Sequence, residues 1–78
     1  MSKIAVMGDW DSIYGFSALG LDTFSFDEKN IDDAGRTLRR LSEGDYKVIY
    51  VTEALASKIQ NEIEHYRTLP SPAIIQIP

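Results

Sequence analysis

The 78-residue sequence contains no cysteine, which excludes a disulfide framework, a thiolate nucleophile and a thiolate metal site. A lone histidine, His65, cannot build a multi-histidine metal centre; near a helix end it reads as a surface side chain matched to the helix dipole. No apolar run approaches the roughly 20 residues needed to span a bilayer. Asp9 and Asp11 interrupt the N-terminus before the charged-then-apolar order of a signal peptide can form. Positive charge is scarce too. Eight Lys and Arg against twelve Asp and Glu leave a net charge of −4, which disfavours non-specific binding to nucleic acid or an anionic membrane. Low-complexity segments and solenoid repeats are missing, and the remaining composition, 44% hydrophobic and 26% charged, is that of a globular domain. A chain this short buries only about 60–65% of the surface that its unfolded form exposes, so a modest intrinsic stability is expected. These absences leave a soluble, cytoplasmic, acidic domain as the expectation.

What is present alternates between strand and helix. Residues 3–7, mostly apolar and closed by Gly8-Asp9, read as a buried strand. A first helix is predicted over residues 11–19, with Ile13, Phe16 and Leu19 on one face and Gly20 as a left-handed cap. A second strand follows at 23–26. Asn30 reads as the N-cap of a second helix carrying Ile31, Ala34, Leu38 and Leu41 at helical spacing, with Asp32 and Asp33 in its first turn and Arg39 and Arg40 near its end. The third strand is placed at 46–51. Thr52 then caps a third helix on which Leu55, Ile59, Ile63 and Tyr66 form one stripe. Leu69-Pro70-Ser71-Pro72 ends that helix before a last strand at 73–77. The alternation predicts an α/β fold: a small three-layer parallel sheet of order 2-1-3-4, flavodoxin- or receiver-like, with helices on both faces.

Ligands of open parallel sheets bind beyond the carboxyl ends of the strands. The first such loop, Gly8-Asp9-Trp10-Asp11-Ser12, has one glycine where a dinucleotide fingerprint needs three, and it lacks the lysine of a phosphate loop. No cofactor is therefore expected. The enzyme-like alternative is a receiver-like or metal-binding signalling domain that uses Asp9 and Asp11. Against it, the third strand runs into Thr52-Glu53 with no phosphoacceptor aspartate, and no fifth strand carries a lysine. The favoured reading is that Asp9 caps a helix and Asp11 is a solvated first-turn charge. The cluster Asp27, Glu28, Asp32 and Asp33 does not match an EF-hand spacing and reads as a solvated helix start. The serines lie in no nucleophile-elbow sequence.

A binding role suits the remaining features better. Trp10 in a turn either anchors a partner or folds back over the first helix. Tyr14 and Phe16 cannot both lie centrally on one helical face, so one of them turns outward. Arg36, Arg39 and Arg40 form either an acceptor for an acidic partner helix or a plain solvated face. Together Trp10, Tyr14, Arg36, Arg39 and Arg40 make the candidate partner-binding set; no catalytic, cofactor or metal residue is assigned.

Lys3-Ile4-Ala5-Val6-Met7-Gly8-Asp9, followed by Gly15-Phe16 and Leu19-Gly20, resembles the opening of the F subunit of the archaeal/vacuolar-type (A-type/V-type) rotary ATPase. Residues 46–53, Tyr-Lys-Val-Ile-Tyr-Val-Thr-Glu, are similar to that family's third strand and helix start, and residues 69–78 to its proline-flanked fourth strand. The resemblance covers essentially the whole chain in order. It implies a non-catalytic subunit of the central rotor stalk, cytoplasmic and peripheral to the membrane. Such a protein binds the coiled-coil shaft, the D subunit of the complex, and helps couple rotation to ATP hydrolysis or synthesis and to proton or sodium transport. The resemblance also implies a helical segment beyond the fourth strand that contacts the catalytic head. On this expectation residues 1–78 are one α/β domain, the N-terminal globular part of a longer chain. Without that segment, apolar sheet surface would be open to artificial dimerisation.

Overall fold

Strands β1 (Lys3–Gly8) and β3 (Tyr46–Thr52) carry apolar side chains on both sides, and both become inner strands of the sheet. The protein is described by a computed structural model covering residues 3–78; Met1 and Ser2 of the expected domain lie outside the described residues. The shorter strands β2 (Asp22–Ser25) and β4 (Ala73–Ile77) form the edges of a four-stranded sheet ordered β2-β1-β3-β4. Every pairing is parallel, with Met7 opposite both Phe24 and Val51, and Ile49 opposite Ile74. This is the α/β fold and strand order expected from the alternation of elements. The first crossover moves outward to β2 and the second returns past β1 to β3. Right-handed connections therefore put the helices that follow these two strands on opposite faces.

Alternate side chains define the two faces. On one, Ala5, Met7, Ile49 and Val51 meet Leu38 and Leu41 of α2 (Ala34–Glu43), Leu55 of α3 (Glu53–Ala56) and Ile63 and Tyr66 of α4 (Gln60–Arg67). On the other, Val6 and Ile13 are fully buried where α1 (Trp10–Ile13) and the 3₁₀ segment Tyr14–Leu19 pack on β1 and β2. Over the β3–β4 half of that second face, Val48, Tyr50 and Ile77 are only half-buried and Ile75 is 43% exposed. Among the described residues the third layer thus covers β1 and β2.

Three helix expectations are corrected. The first helix is α-helical only as far as Ile13 and then tightens into the 3₁₀ segment, where Ser17 Oγ donates to the Tyr14 carbonyl at 2.8 Å. Three residues per turn and the narrow surface of edge strand β2 leave Phe16 half-buried and Leu19 73% exposed. Gly20 closes the segment at φ +85°, as its sequence position suggested.

Asn30 does not cap α2. Its side chain turns back, accepting from the Asp27 amide and donating to the Ser25 carbonyl, and a 3₁₀ turn (Ile31–Asp33) leads into α2. The expected third helix is interrupted at 57–59, where Lys58 and Ile59 amides bond three residues back, to Leu55 and Ala56. The break keeps all four stripe residues, Leu55, Ile59, Ile63 and Tyr66, buried. Burial of that stripe prevails over helical continuity.

Candidate functional site

The chemistry of the first loop is set by close packing at Gly8. A Cβ there would collide with Thr52 Cγ2 and lie 3.0 Å from Ile13 Cγ2, so only glycine lets β1, β3 and α1 meet. Asp9 then takes the capping role: its Oδ2 accepts from the Ser12 amide at 3.2 Å and from Ser12 Oγ at 2.8 Å. Asp11 is an exposed first-turn charge. At the end of β3, where a receiver would carry its phosphoacceptor, the Thr52 hydroxyl accepts from the Leu55 amide and caps α3. Among the described residues no group of three or more His, Asp or Glu could hold a metal ion.

The candidate binding residues gather around the β2 edge. Trp10 and Tyr14, one helical turn apart, pack ring on ring with centroids 5.7 Å apart, yet remain 59% and 56% exposed. The indole therefore folds over Tyr14 and still faces solvent, and Tyr14, not Phe16, is the more outward of the two. Arg36, Arg39 and Arg40 together line a depression of about 480 Å³ with Phe24 and Phe26, and Arg36 pairs with Asp33. Trp10 lines a neighbouring depression that shares Ser25, Phe26 and Asn30 with the arginine side. The aromatic pair and the arginines thus flank one strand end from opposite faces of the sheet.

Sequence reasoning missed a second feature at the carboxyl ends of the strands. Phe26, Ile31, Ala54 and Leu55 floor an apolar recess of about 250 Å³, rimmed by Asp9, Asp27, Glu28 and Lys58. Its signal was the aromatic Phe26 immediately before Asp27-Glu28, in one of the loops where ligands of such sheets bind. Of the acidic cluster read from the sequence, Asp27 and Glu28 belong to this rim, whereas Asp33 pairs with Arg36. Asp27 Oδ1 also accepts from the Lys29 amide at 2.9 Å, which fixes the loop.

Two tyrosines have perturbed titration. Burial, then the Asp22 hydrogen bond and the Asp22 and Asp45 charges, push Tyr46 up to about 12. Burial and then Glu43 raise Tyr66, with Arg39 opposing. Both favour the neutral phenol, so neither is a poised base. His65 is exposed and meets the edge of Tyr66 with centroids 4.8 Å apart, as a surface side chain in the last turn of α4. No helix of the described residues is long and apolar enough to cross a membrane.

The family model described as "ATP synthase (F/14-kDa) subunit" matches residues 4–78. The F subunit of the V-type ATP synthase of Clostridium perfringens is 43% identical over 76 residues, covering 97% of this chain and 70% of that protein. Its counterpart in Fusobacterium nucleatum is 41% identical over 78 residues, covering 100% of this chain and 72% of the relative. The F subunit of the A-type ATP synthase of Pyrococcus furiosus is 38% identical over 80 residues, covering 97% and 74% respectively. With a family model spanning nearly the whole chain and relatives of this identity, the chain belongs to the family of F subunits of V-type and A-type ATP synthases.

Proposed function

We propose that the chain is a non-catalytic central-stalk subunit that binds the coiled-coil shaft (the D subunit) and helps couple rotation to ATP hydrolysis or synthesis and to ion transport. On this reading it works on the cytoplasmic side, peripheral to the membrane, with the catalytic head as a further neighbour. Family membership supports the setting, and the β2 edge is the observation that carries the docking surface. There Trp10 and Tyr14 offer adjoining exposed aromatic area in tilted ring contact, and Arg36, Arg39 and Arg40 offer charge for an acidic helix. The loop carboxylate best placed for chemistry, Asp9, is committed to capping, which favours binding over catalysis.

Co-purification with the shaft protein tests the reading. Replacing Trp10 by Ala should weaken the complex by about tenfold or more, as expected for an aromatic anchor. Each single Arg→Ala change should cost about two- to fivefold, as expected for rim charges. Full retention of binding after alanine replacement of all five residues would show that the shaft docks elsewhere.

A further inference from the structure

The recess at the carboxyl ends of β1, β2 and β3 shares only Phe26 with the arginine depression and borders the depression that Trp10 lines. Phe26, Ile31, Ala54 and Leu55 supply its apolar lining. The volume of about 250 Å³ falls below the usual range for small-molecule sites, roughly 300–1,000 Å³, but suits one or two aliphatic side chains. Asp9, Asp27 and Glu28 face this gap against one cation, Lys58. Asp11 extends the acidic border on the side of Trp10.

We propose that this recess docks a segment of a partner protein that presents an aliphatic side chain flanked by lysine or arginine. The aliphatic group fills the space above Phe26, Ile31 and Leu55, while the flanking cations meet the Asp27 and Glu28 carboxylates. A second copy of the chain is disfavoured as occupant, because its own net charge is −4 and like-charged surfaces repel. A metal ion is disfavoured because Asp9 and Asp27 already accept hydrogen bonds from neighbouring amides. The inference goes beyond the shaft contact and does not require it.

The test is an amide chemical-shift titration of the whole chain with a short amphipathic peptide of leucine, alanine and lysine. A counterpart with glutamate in place of lysine serves as the control. The lysine peptide should shift Phe26, Ile31 and Leu55, and its affinity should fall severalfold as salt rises and the charges are screened. Ala54→Leu, on an exposed helical position, should fill the gap and abolish the response while leaving the rest of the spectrum unchanged. Glu28→Lys should weaken binding by about tenfold through charge reversal. Equal response to both peptides, shifts confined to other surfaces, or no response would overturn the proposal. So would self-association of the chain that Ala54→Leu relieves, or the same shifts on addition of magnesium alone. Because the shaft protein is not in the experiment, failure here leaves the stalk reading standing, and the reverse also holds.

Discussion

Tyr46 ties both inner strands to an edge. Its hydroxyl donates to Asp22 Oδ2 at 2.6 Å, reaching from β3 past β1 to β2, while Lys3 of β1 lies 5.5 Å above its ring. Its raised titration gives this contact a pH signature. The neutral phenol is favoured in the folded state, so the contribution is fully present below the ordinary tyrosine range near 10. It is lost as pH rises towards about 12. Chemical denaturation across that window should show a loss on the order of 1 kcal/mol that Tyr46→Phe removes. An unchanged alkaline profile in the variant would contradict it. At Gly8 the expectation is steric: Gly8→Ala drives a methyl against Thr52 and Ile13 and should lower stability by about 1–3 kcal/mol in a thermal melt. Asp9 and Thr52 were legible as caps because a cap acts within three residues. The Tyr46–Asp22 bond was not, since its partners are 24 residues apart.

At the scale of elements, burial separates residues that look alike in sequence. Leu38 on α2 is fully buried, whereas Leu19 at the end of the 3₁₀ segment is 73% exposed. Leu38→Ala should therefore cost about 2–5 kcal/mol, and Leu19→Ser should stay within about 0.5 kcal/mol. Comparable losses at the two positions in denaturant titrations would show that the Leu19 side chain is packed and not solvated. Strand bounds were legible to within a residue, β4 among them, because apolar β-branched runs bounded by Gly, Asp or Pro leave little choice. Helix continuity was not. The Tyr14–Leu19 segment and the break after α3 answer to how much sheet lies beneath them, a tertiary quantity that helical spacing does not encode.

For the whole molecule, the strand order followed from alternation and right-handed crossovers. The uneven covering of the sheet by the described residues did not, because local pattern does not reveal which half of a face each helix will cover. The same limit applies to the site. Trp10, Tyr14, Arg36, Arg39 and Arg40 stood out by residue type, but only the fold brings them to the β2 edge. The apolar recess joins the loop after β2 to α3, 28 positions apart at Phe26 and Ala54, so Phe26 before Asp27-Glu28 signalled one wall of it and not the other. The measurement that bears most directly on the stalk reading is a calorimetric titration of the purified chain with the coiled-coil shaft protein at near-physiological salt. A one-to-one complex is expected with a Kd of about 1 μM or tighter, equivalent to about −8 kcal/mol, and weakened tenfold or more by Trp10→Ala. Absence of a complex with the intact, folded chain would contradict the assignment of this domain as a shaft-docking component of the stalk.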